Sequence, residues 1–355
     1  MTRPFAIAGR PIGLGHAPYV IAELSGNHNG DIERAFVLIA AAAEAGADAV
    51  KLQTYTADTI TIDHDGPGFV IEGGLWHGRK LHDLYNEAHT PWEWHPALFE
   101  HARKAGVHCF SSPFDPTAVD FLETLSAPAY KIASFEIIDL PLIAKAASTG
   151  KPLIISTGMA NAAEIADAVS TANDAGAAGV VLLHCVSGYP TPASEANLAR
   201  IALLRGRHGC AIGLSDHTLG VEVAIAAVAL GACVIEKHVT LKRADGGPDA
   251  AFSLEPAELK QLCDGARIAA SALGRAEYDK AASEADNLVF RRSLSVVADI
   301  AAGEAYTNAN VRSIRPGHGL PPKLLPDILG RRAARDITRG TPLNLDLVAS
   351  QKTSR

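Results

Sequence analysis

The sequence lacks the features that mark membrane, secreted and nucleic-acid-binding proteins. It has no apolar run long enough to cross a bilayer, and candidates such as residues 222–235 are broken or too short. Its formal net charge of -7 gives no basic surface for nucleic acid or anionic lipid. Prolines and glycines interrupt the apolar residues at the N-terminus, so we expect no signal peptide. We therefore expect a globular cytoplasmic protein.

Two common ligand-binding signatures are also missing. There is no GxxxxGK[ST] phosphate loop, and the GLG at 13–15 does not follow a strand, so nothing supports a nucleotide-binding fold. The five cysteines are scattered, without a CxxC pair, mostly in apolar runs that predict reduced, buried thiols. Cys185 lies near the candidate site described below. No base is evident beside it in the sequence, so we interpret it as a core residue.

What the sequence does contain is a regular alternation of short β-rich runs and Ala-rich runs of helical period. Candidate strands cover residues 18–24, 49–54, 107–113, 129–134, 152–157, 180–185, 211–217 and 233–239. Helix candidates between them include residues 31–46, 117–125, 161–176 and 220–232. Eight such units predict an α/β fold in which a parallel sheet closes into a (β/α)8 TIM barrel.

Each candidate strand ends in polar side chains, and in barrel enzymes the chemistry lies at that end. These strand ends carry Glu23, Lys51, Gln53, Ser112, Lys131, Ser134, Ser156, Ser187, His217, Glu236 and His238. Alternate residues of a strand share a face, so Lys51 points the same way as Gln53, and Glu236 the same way as His238. The series predicts the lining of one polar pocket.

The residue types in this pocket indicate two kinds of ligand. Lys51 and Lys131 lie inside apolar strands, where an unpaired ammonium is costly, so we expect an anionic partner such as phosphate or carboxylate. The serines could instead satisfy only local backbone groups. His217 and His238 could each be hydrogen-bonded core histidines, but together they fit a divalent cation such as Mn²⁺, Co²⁺ or Mg²⁺.

A long insert separates the second and third candidate strands. Over residues 66–95 it carries Trp76, Tyr85, Trp92 and Trp94, too many aromatic residues for a disordered segment. It can be read as a lid over the barrel mouth that suits a sugar-like substrate. Alternatively, Trp92 and Trp94 begin a helix packed on the barrel, capped by Thr90 with Pro91 at its first position.

The C-terminal part predicts a second domain. We expect the barrel to cover residues 1–275, a polar helical linker 276–290, and a small β-rich domain 291–355. Residues 299–311 and 336–348 form a repeat that aligns without gaps, which predicts internal pseudo-symmetry. So small a domain should dock onto a barrel, where Arg315, between the two copies, could complete a substrate pocket.

The chain resembles the sialic acid synthase family along almost its full length. The motifs that carry the resemblance, in the family's order, are IAELSGNHNG, VKLQTY, YKIASFE, IISTGM, GLSDHT, IEKHVTL and RSIRPGHG. That family joins a phosphoenolpyruvate-condensing barrel to a C-terminal antifreeze-like domain, also called a SAF domain. Within it, ASFE and LWHGRKLHDLYNEAHTPWEWH look most like the pseudaminic acid branch.

The resemblance implies condensation of phosphoenolpyruvate with an N-acetylated amino-sugar, giving a nonulosonic acid and phosphate. In the pseudaminic branch the sugar is 2,4-diacetamido-2,4,6-trideoxy-β-L-altropyranose, reacting as its open-chain aldehyde. The family's pattern assigns phosphoenolpyruvate binding to Lys51, Lys131, Ser134 and Ser156, with Ser112 and Ser187 as weaker candidates. Sialic acid synthases often place an asparagine near Ser187. Gln53 is a further candidate substrate-binding residue.

The same resemblance implies further roles. His217 and His238 would bind the divalent metal, with Mn²⁺ as the first expectation, and Glu23, Glu236 and Asp249 would be the catalytic carboxylates. The family also implies a domain-swapped homodimer whose tail caps the partner's barrel, so that Arg315 reaches the partner's substrate.

Three alternatives stay open at the level of sequence. The chain could be an N-acetylneuraminic or legionaminic acid synthase, which runs the same reaction on another sugar. It could be a metal-dependent aldolase that uses pyruvate and releases no phosphate. It could also be a non-catalytic carbohydrate-binding protein, although the histidine pair and the two strand lysines argue against a decayed site.

Overall fold

The computed structural model describes residues 5–350 of the chain. The chain divides into two compact units, Met1–Gly274 and Arg275–Arg355. In the part of the chain that is described, no helix is both long and apolar enough to cross a membrane.

The first unit is a closed barrel of eight parallel strands, as the sequence predicts. The barrel strands are β3 (Tyr19–Glu23), β4 (Ala49–Thr54), β5 (His108–Pro113), β6 (Tyr130–Ile132), β7 (Leu153–Ser156), β8 (Val180–Cys185), β9 (Ala211–Asp216) and β10 (Val234–His238). Each strand pairs with the next along the chain, and β10 pairs with β3 to close the ring. The TIM-type fold is therefore confirmed.

Two short strands that the sequence analysis missed precede the barrel. β1 (Phe5–Ile7) and β2 (Arg10–Ile12) form an antiparallel hairpin. Ile7 and Ile12 are buried in one cluster with Tyr19, the first residue of β3, and with the first residues of other barrel strands. The hairpin therefore packs at the amino ends of the strands, the end of the barrel opposite the predicted site.

Helices follow the barrel strands and cover their outward-facing side chains. Those of the first unit are α1 (Ile32–Ala45), α2 (Ala57–Ile60), α3 (Leu81–Ala88), α4 (His95–Ala105), α5 (Pro116–Thr124), α6 (Leu140–Ala147), α7 (Ala162–Asp174), α8 (Arg200–His208), α9 (Glu222–Ala229) and α10 (Pro256–Ala272). α1 shows why such segments are helical. The Asp31 side chain accepts from the N–H of Glu33 at 2.9 Å, and Gly46 ends the helix at φ 91°. Its buried residues, among them Leu38 and Ile39, recur at helical spacing.

The helix start predicted at Thr90 and Pro91 is wrong in detail. A 3₁₀ turn over Trp92–Trp94 comes first, and α4 follows it with a proline in its own first turn. Pro91 is extended, with ψ 134°, and the Thr90 hydroxyl hydrogen-bonds to Nε2 of His28 at 3.3 Å instead of capping the helix. The hydroxyl of Thr90 thus bonds to the buried imidazole of His28 rather than to a backbone N–H at the start of the helix.

The first regular element of the second unit is a 3₁₀ segment, Ala282–Phe290, within the region where the sequence predicts a helical linker. It then forms an antiparallel pair, β11 (Ser293–Val296) and β12 (Val311–Ile314), and a short helix, α11 (Leu325–Ile328). Its own core contains Leu294, Tyr306 and Leu343, among other buried residues.

The internal repeat produces the expected pseudo-symmetry in this unit. Ile300 and Ile337 occupy the same position in the two copies and pair with each other, each N–H donating to the other's carbonyl, at 2.9 and 2.8 Å. The carboxylate of Asp299 accepts from the N–H of Arg339 at 2.7 Å. The carboxylate of Asp336 accepts from the equivalent N–H in the other copy, also at 2.7 Å. The two copies therefore hold each other by equivalent hydrogen bonds.

Candidate active site

The carboxyl ends of the barrel strands open into one cavity of about 490 Å³. The predicted site residues that line it are Lys51, Gln53, Lys131, Ser134, Ser156, His217, Glu236, His238 and Asp249. They converge because parallel strands present their carboxyl ends at the same face of a barrel. Positions up to about 200 residues apart in the sequence thus share a single pocket.

The other predicted site residues do not line this cavity within residues 5–350, yet most lie directly behind its lining. Glu23 is fully buried and holds the amide of Gln53, which donates to its Oε1 at 2.9 Å. Ser112 accepts from the ammonium of Lys51 at 3.2 Å. Ser187 lies beside the lining residue Cys185. Arg315 is in the second unit, exposed in the loop that follows β12.

Two lysines and two glutamates form a buried charge cluster beneath the cavity. Lys51 Nζ lies 2.5 Å from Glu23 Oε2 and 3.8 Å from Glu236 Oε1, and Lys131 Nζ lies 3.6 Å from the same Glu236 oxygen. Burial alone would raise the pKa of Glu236, but Lys131 and Lys51 outweigh it and hold that pKa below its usual value. Glu236 is therefore a carboxylate, and its Oε2 has no hydrogen-bond partner among the described residues.

Lys131 is the less completely paired of the two ammonium groups. Besides its contact with Glu236, it donates to the carbonyl of Ile132 at 3.2 Å. Burial lowers the pKa of Lys131, and Glu236 offsets only part of that shift. An ammonium with donors to spare, aimed into a cavity, is suited to bind a phosphate or carboxylate.

Two serine hydroxyls, those of Ser134 and Ser187, approach a glycine, Gly158. The N–H of Gly158 donates to Ser134 Oγ at 3.2 Å. A Cβ placed on Gly158 would lie 2.7 Å from that oxygen and would overlap with Ser187 Oγ, so only glycine lets both hydroxyls approach. Ser156 Oγ is buried and has no partner in the described part of the chain. The arrangement leaves hydroxyl donors available to an oxyanion.

The pKa values of the two histidines are shifted in opposite directions. Burial lowers the pKa of His217, but Cys185 and the carbonyl of Val186 outweigh burial and raise that pKa above its usual value. Nδ1 of His217 lies 3.0 Å from the carbonyl of Val186, which fixes the proton there and leaves Nε2 free. Burial lowers the pKa of His238 well below its usual value, and its Nδ1 has no hydrogen-bond partner among residues 5–350. The two rings lie 5.4 Å apart, centroid to centroid.

In their neutral forms these two imidazoles could hold a divalent cation, although they would supply few of its ligands. No group of three or more His, Cys, Asp or Glu side chains that could enclose a metal occurs among the described residues. The carboxylate of Asp249 comes within 3.9 Å of His238 Nδ1. Water and substrate oxygens would have to complete the coordination, as catalytic metal sites require.

The crowded loop after β3, within IAELSGNHNG, positions the far side of the cavity. Asn27 and Asn29 each donate to a backbone carbonyl of the segment that follows β10, at 2.8 and 3.2 Å. Ser25 donates to the carboxylate of Asp249 in that segment. The polar residues of the motif thus join the two loops and hold Asp249 in the pocket lining.

Sequence reasoning missed two ionisable residues in the lining. Glu136 is half-buried with its Oε2 enclosed, and this desolvation raises the pKa of its carboxyl to about 7. Its motif, ASFE, was read only as a mark of resemblance. Cys185 lines the cavity with its Sγ 3.9 Å from Nδ1 of His217, a basic group that lies 32 residues further along the chain. That separation hides the pair from any reading of local sequence.

The insert contributes to the cavity through some of its aromatic residues. Trp76 and Tyr85 line it, and the indole N–H of Trp76 donates to the carbonyl of Pro248 at 2.9 Å. Trp92 instead stacks on Phe121, with ring centroids 4.9 Å apart. Trp94 packs against the core of the barrel unit. One part of the insert therefore lines the cavity, and another part packs on the barrel.

Comparison with known proteins agrees with this architecture. The NeuB family model matches residues 38–278 and the SAF domain model residues 291–349. The pseudaminic acid synthase of Campylobacter jejuni is 44% identical over 92% of this chain and 95% of its own length. That of Helicobacter pylori is 44% identical over 93% of this chain and 97% of its own. The crystal structure of the N-acetylneuraminic acid synthetase from Leptospira borgpetersenii, in complex with citrate, superposes with a TM-score of 0.73 at 33% identity, covering 81% of this chain and 96% of that one.

Proposed function

The chain belongs to the NeuB family and carries a SAF domain, and from that membership we propose that it is a pseudaminic acid synthase. It would condense phosphoenolpyruvate with 2,4-diacetamido-2,4,6-trideoxy-β-L-altropyranose and water to give pseudaminic acid and phosphate. The observation that carries the proposal is the 44% identity, over nearly the whole chain, to proteins of that name. The convergence of lysines, serines and histidines at one cavity supports it.

Phosphoenolpyruvate is assigned to the side of the cavity that holds Lys131, Ser134 and Ser156. Lys131 has donors to spare, and the two serines line the same cavity. Lys51, paired with Glu23 and supported by Ser112, supplies a second positive charge to the same region. Ser187 adds a further hydroxyl next to Gly158. Charge-assisted hydrogen bonds of this kind hold phosphate and carboxylate groups firmly.

The sugar aldehyde is assigned to the side that holds the histidines. His217 and His238 would hold a divalent cation, Mn²⁺ or alternatively Co²⁺ or Mg²⁺, which when bound supplies Lewis-acid polarisation of a carbonyl oxygen. Asp249, held by Ser25 close to His238, can hydrogen-bond the sugar. Gln53, oriented by Glu23, adds an amide to the same wall.

The reaction then needs one new C–C bond and one C–O cleavage. C3 of phosphoenolpyruvate attacks the aldehyde carbon, the aldehyde oxygen takes a proton, and positive charge develops at C2. Water adds at C2 and gives up a proton to a base. Glu236, an ionised carboxylate with a free oxygen, is suited to accept it. Collapse of the tetrahedral intermediate breaks the C2–O bond and releases phosphate, leaving the ketone of the product.

We further propose that the chain works as a domain-swapped homodimer in the cytoplasm. The resemblance to the family assigns Arg315 to the partner's substrate, and the exposure of this side chain on the second unit is compatible with that role. The five cysteines, none of them paired within residues 5–350, suit a reducing compartment.

The decisive experiment measures phosphate release from phosphoenolpyruvate by the purified full-length chain with Mn²⁺. The diacetamido-trideoxy-altrose is compared with N-acetylmannosamine and with the corresponding legionaminic precursor. Release with the altrose alone supports the proposal, and its loss on chelation, with recovery on adding Mn²⁺, supports the metal. Release only with another of these sugars would assign the chain to a different nonulosonic acid. If the folded protein releases no phosphate with any of these sugars and metals, the result would contradict the condensing reaction itself.

A further inference from the structure

The cavity has two chemically different parts. The strand ends supply its charged and hydroxyl-bearing floor. The segments beyond them, which also supply aromatic residues such as Trp76 and Tyr85, include a group of aliphatic side chains. This group, here called the apolar wall, consists of Ile60, Ile71, Leu81 and Leu84. Such a surface disfavours a sugar with a hydroxyl on every carbon, because a hydroxyl group placed there loses its hydrogen bonds to water without gaining a partner in the protein.

The apolar wall is held in place by the fold of the insert. The N–H of Ile71 donates to the carbonyl of Arg79 at 2.9 Å, and the N–H of Leu81 donates to that of Phe69 at 2.9 Å. Ile71 and Leu81 therefore face the cavity from a hydrogen-bonded hairpin that leads into α3. Leu84, on α3, is only 6% exposed, so the wall is preformed and does not depend on a ligand to create it.

The position of the wall relative to the floor determines which part of a sugar can meet it. If the proposed function holds, the aldehyde carbon lies at the floor, beside the histidines and lysines. The C2 acetamido group is next to that carbon and stays near the polar residues. C6 is at the opposite end of the carbon chain, and in the altrose derivative it is a methyl group.

Resting on that proposed function, we infer that the apolar wall receives the C6 methyl group and selects the 6-deoxy sugar against its 6-hydroxy counterpart. The wall makes Ile71 and Leu81 specificity-determining residues. An aliphatic pocket disfavours an added hydroxyl because that group must be desolvated to enter. This lowers kcat/KM for the 6-hydroxy sugar by about 100-fold relative to the 6-deoxy sugar.

The test compares kcat/KM for the diacetamido-trideoxy-altrose with that for the same sugar bearing a 6-hydroxyl, at saturating phosphoenolpyruvate and Mn²⁺. The wild-type chain should prefer the 6-deoxy sugar by about 100-fold. The double variant Ile71→Thr/Leu81→Thr places hydroxyls in the wall and should reduce this ratio by about tenfold or more, mainly through loss of activity on the 6-deoxy sugar. Both residues are only partly buried, so the variant should fold.

Leu75→Thr is the matched control. Leu75 lies in the same hairpin but is 48% exposed and does not line the cavity, so the ratio should stay at its wild-type value. Equal kcat/KM of the wild-type chain on the two sugars would overturn the inference, as would a double variant that loses the same factor on both. Activity with N-acetylmannosamine and none with either altrose would instead overturn the proposed function, and it would be seen before any variant is compared.

Discussion

Lys51 and Lys131 illustrate how residues of one type acquire different tasks from their surroundings. Lys51 has Glu23 at 2.5 Å, and this carboxylate together with Glu236 outweighs burial and raises the pKa of the ammonium. Lys131 has no carboxylate closer than Glu236, at 3.6 Å, among the described residues, and burial lowers its pKa. A bound anion would raise the pKa of Lys131 again and complete its pairing, so we expect Lys131 to contribute more than Lys51 to phosphoenolpyruvate affinity.

We therefore expect Lys131→Met to reduce kcat/KM for phosphoenolpyruvate by about 100-fold, the worth of charge-assisted hydrogen bonds to one anionic group. Initial rates of phosphate release at varied phosphoenolpyruvate measure the effect. Lys145→Met is the control, because Lys145 is on the surface and pairs only with Asp120 among the described residues, at 2.6 Å. A variant with unchanged KM for phosphoenolpyruvate and a raised KM for the sugar would contradict the assignment.

The carboxyl of Glu136 should make the stability of the folded chain depend on pH. Burial raises the pKa of this carboxyl from 4.5 to about 7, so the folded chain keeps a proton that the unfolded chain releases in this interval. The contribution of Glu136 to stability must therefore fall as pH rises from about 4.5 to 7. Glu136→Gln removes the titration, and at pH 8 we expect the variant to exceed the wild type in free energy of unfolding by about 1–3 kcal/mol.

Urea unfolding of the two proteins at pH 5 and pH 8 measures this difference. The two curves should nearly coincide at pH 5 and separate at pH 8. Glu93→Gln, at an exposed glutamate, should leave the wild-type pH dependence unaltered. A constant offset between wild type and Glu136→Gln at both pH values would refute a raised pKa of the Glu136 carboxyl.

At the scale of elements, the loops after β3 and β10 are held together by side chains rather than by a shared strand. Asn27 is fully buried, and its amide donates at 2.8 Å both to the carbonyl of Val239 and to Ser253 Oγ. Because Asp249 lies between these two acceptors in the sequence, its position depends on this contact.

Asn27→Ala should destabilise the barrel unit by about 2–4 kcal/mol, since it leaves two buried acceptors without a donor. It should also accelerate amide hydrogen exchange over residues 239–253 and lower activity. Asn29→Gly removes an exposed contact of the same kind, at 3.2 Å, without strain at the positive φ of 52°, and should cost less than about 1 kcal/mol. If the two variants are equally stable, the buried contact does not secure the loop.

The elements also show what sequence can and cannot predict here. The eight barrel strands were predictable because each combines an apolar run with turn residues and a helical neighbour. The β1–β2 hairpin was not, since strands of three residues around Gly9 and Pro11 show no alternation. Pocket residues at strand ends follow from barrel geometry. Glu136 and Cys185 do not, because their significance comes from burial and from partners distant in sequence.

At the scale of the whole molecule, Arg315 is presented by a fixed loop of the second unit. The hydroxyl of Ser293, in β11, donates to the carbonyl of Pro316 at 2.7 Å and accepts from the N–H of Gly319 at 2.9 Å. The side chain of Arg315 itself is exposed. An exposed cation on a loop fixed in this way is suited to the role that the proposed domain-swapped dimer gives it.

If Arg315 acts in the partner's site, two inactive variants should complement each other. In a mixed dimer of Lys131→Met and Arg315→Ala chains, one barrel carries both defects and the other carries neither. Random mixing makes about half of the dimers mixed, so co-expressed and co-purified variants should regain about a quarter of wild-type phosphate release. If Arg315 serves its own chain's barrel, every site keeps one defect and activity stays at the level of the separate variants. Lys131→Met mixed with Lys131→Ala is the control, because no pairing of these chains creates an intact site.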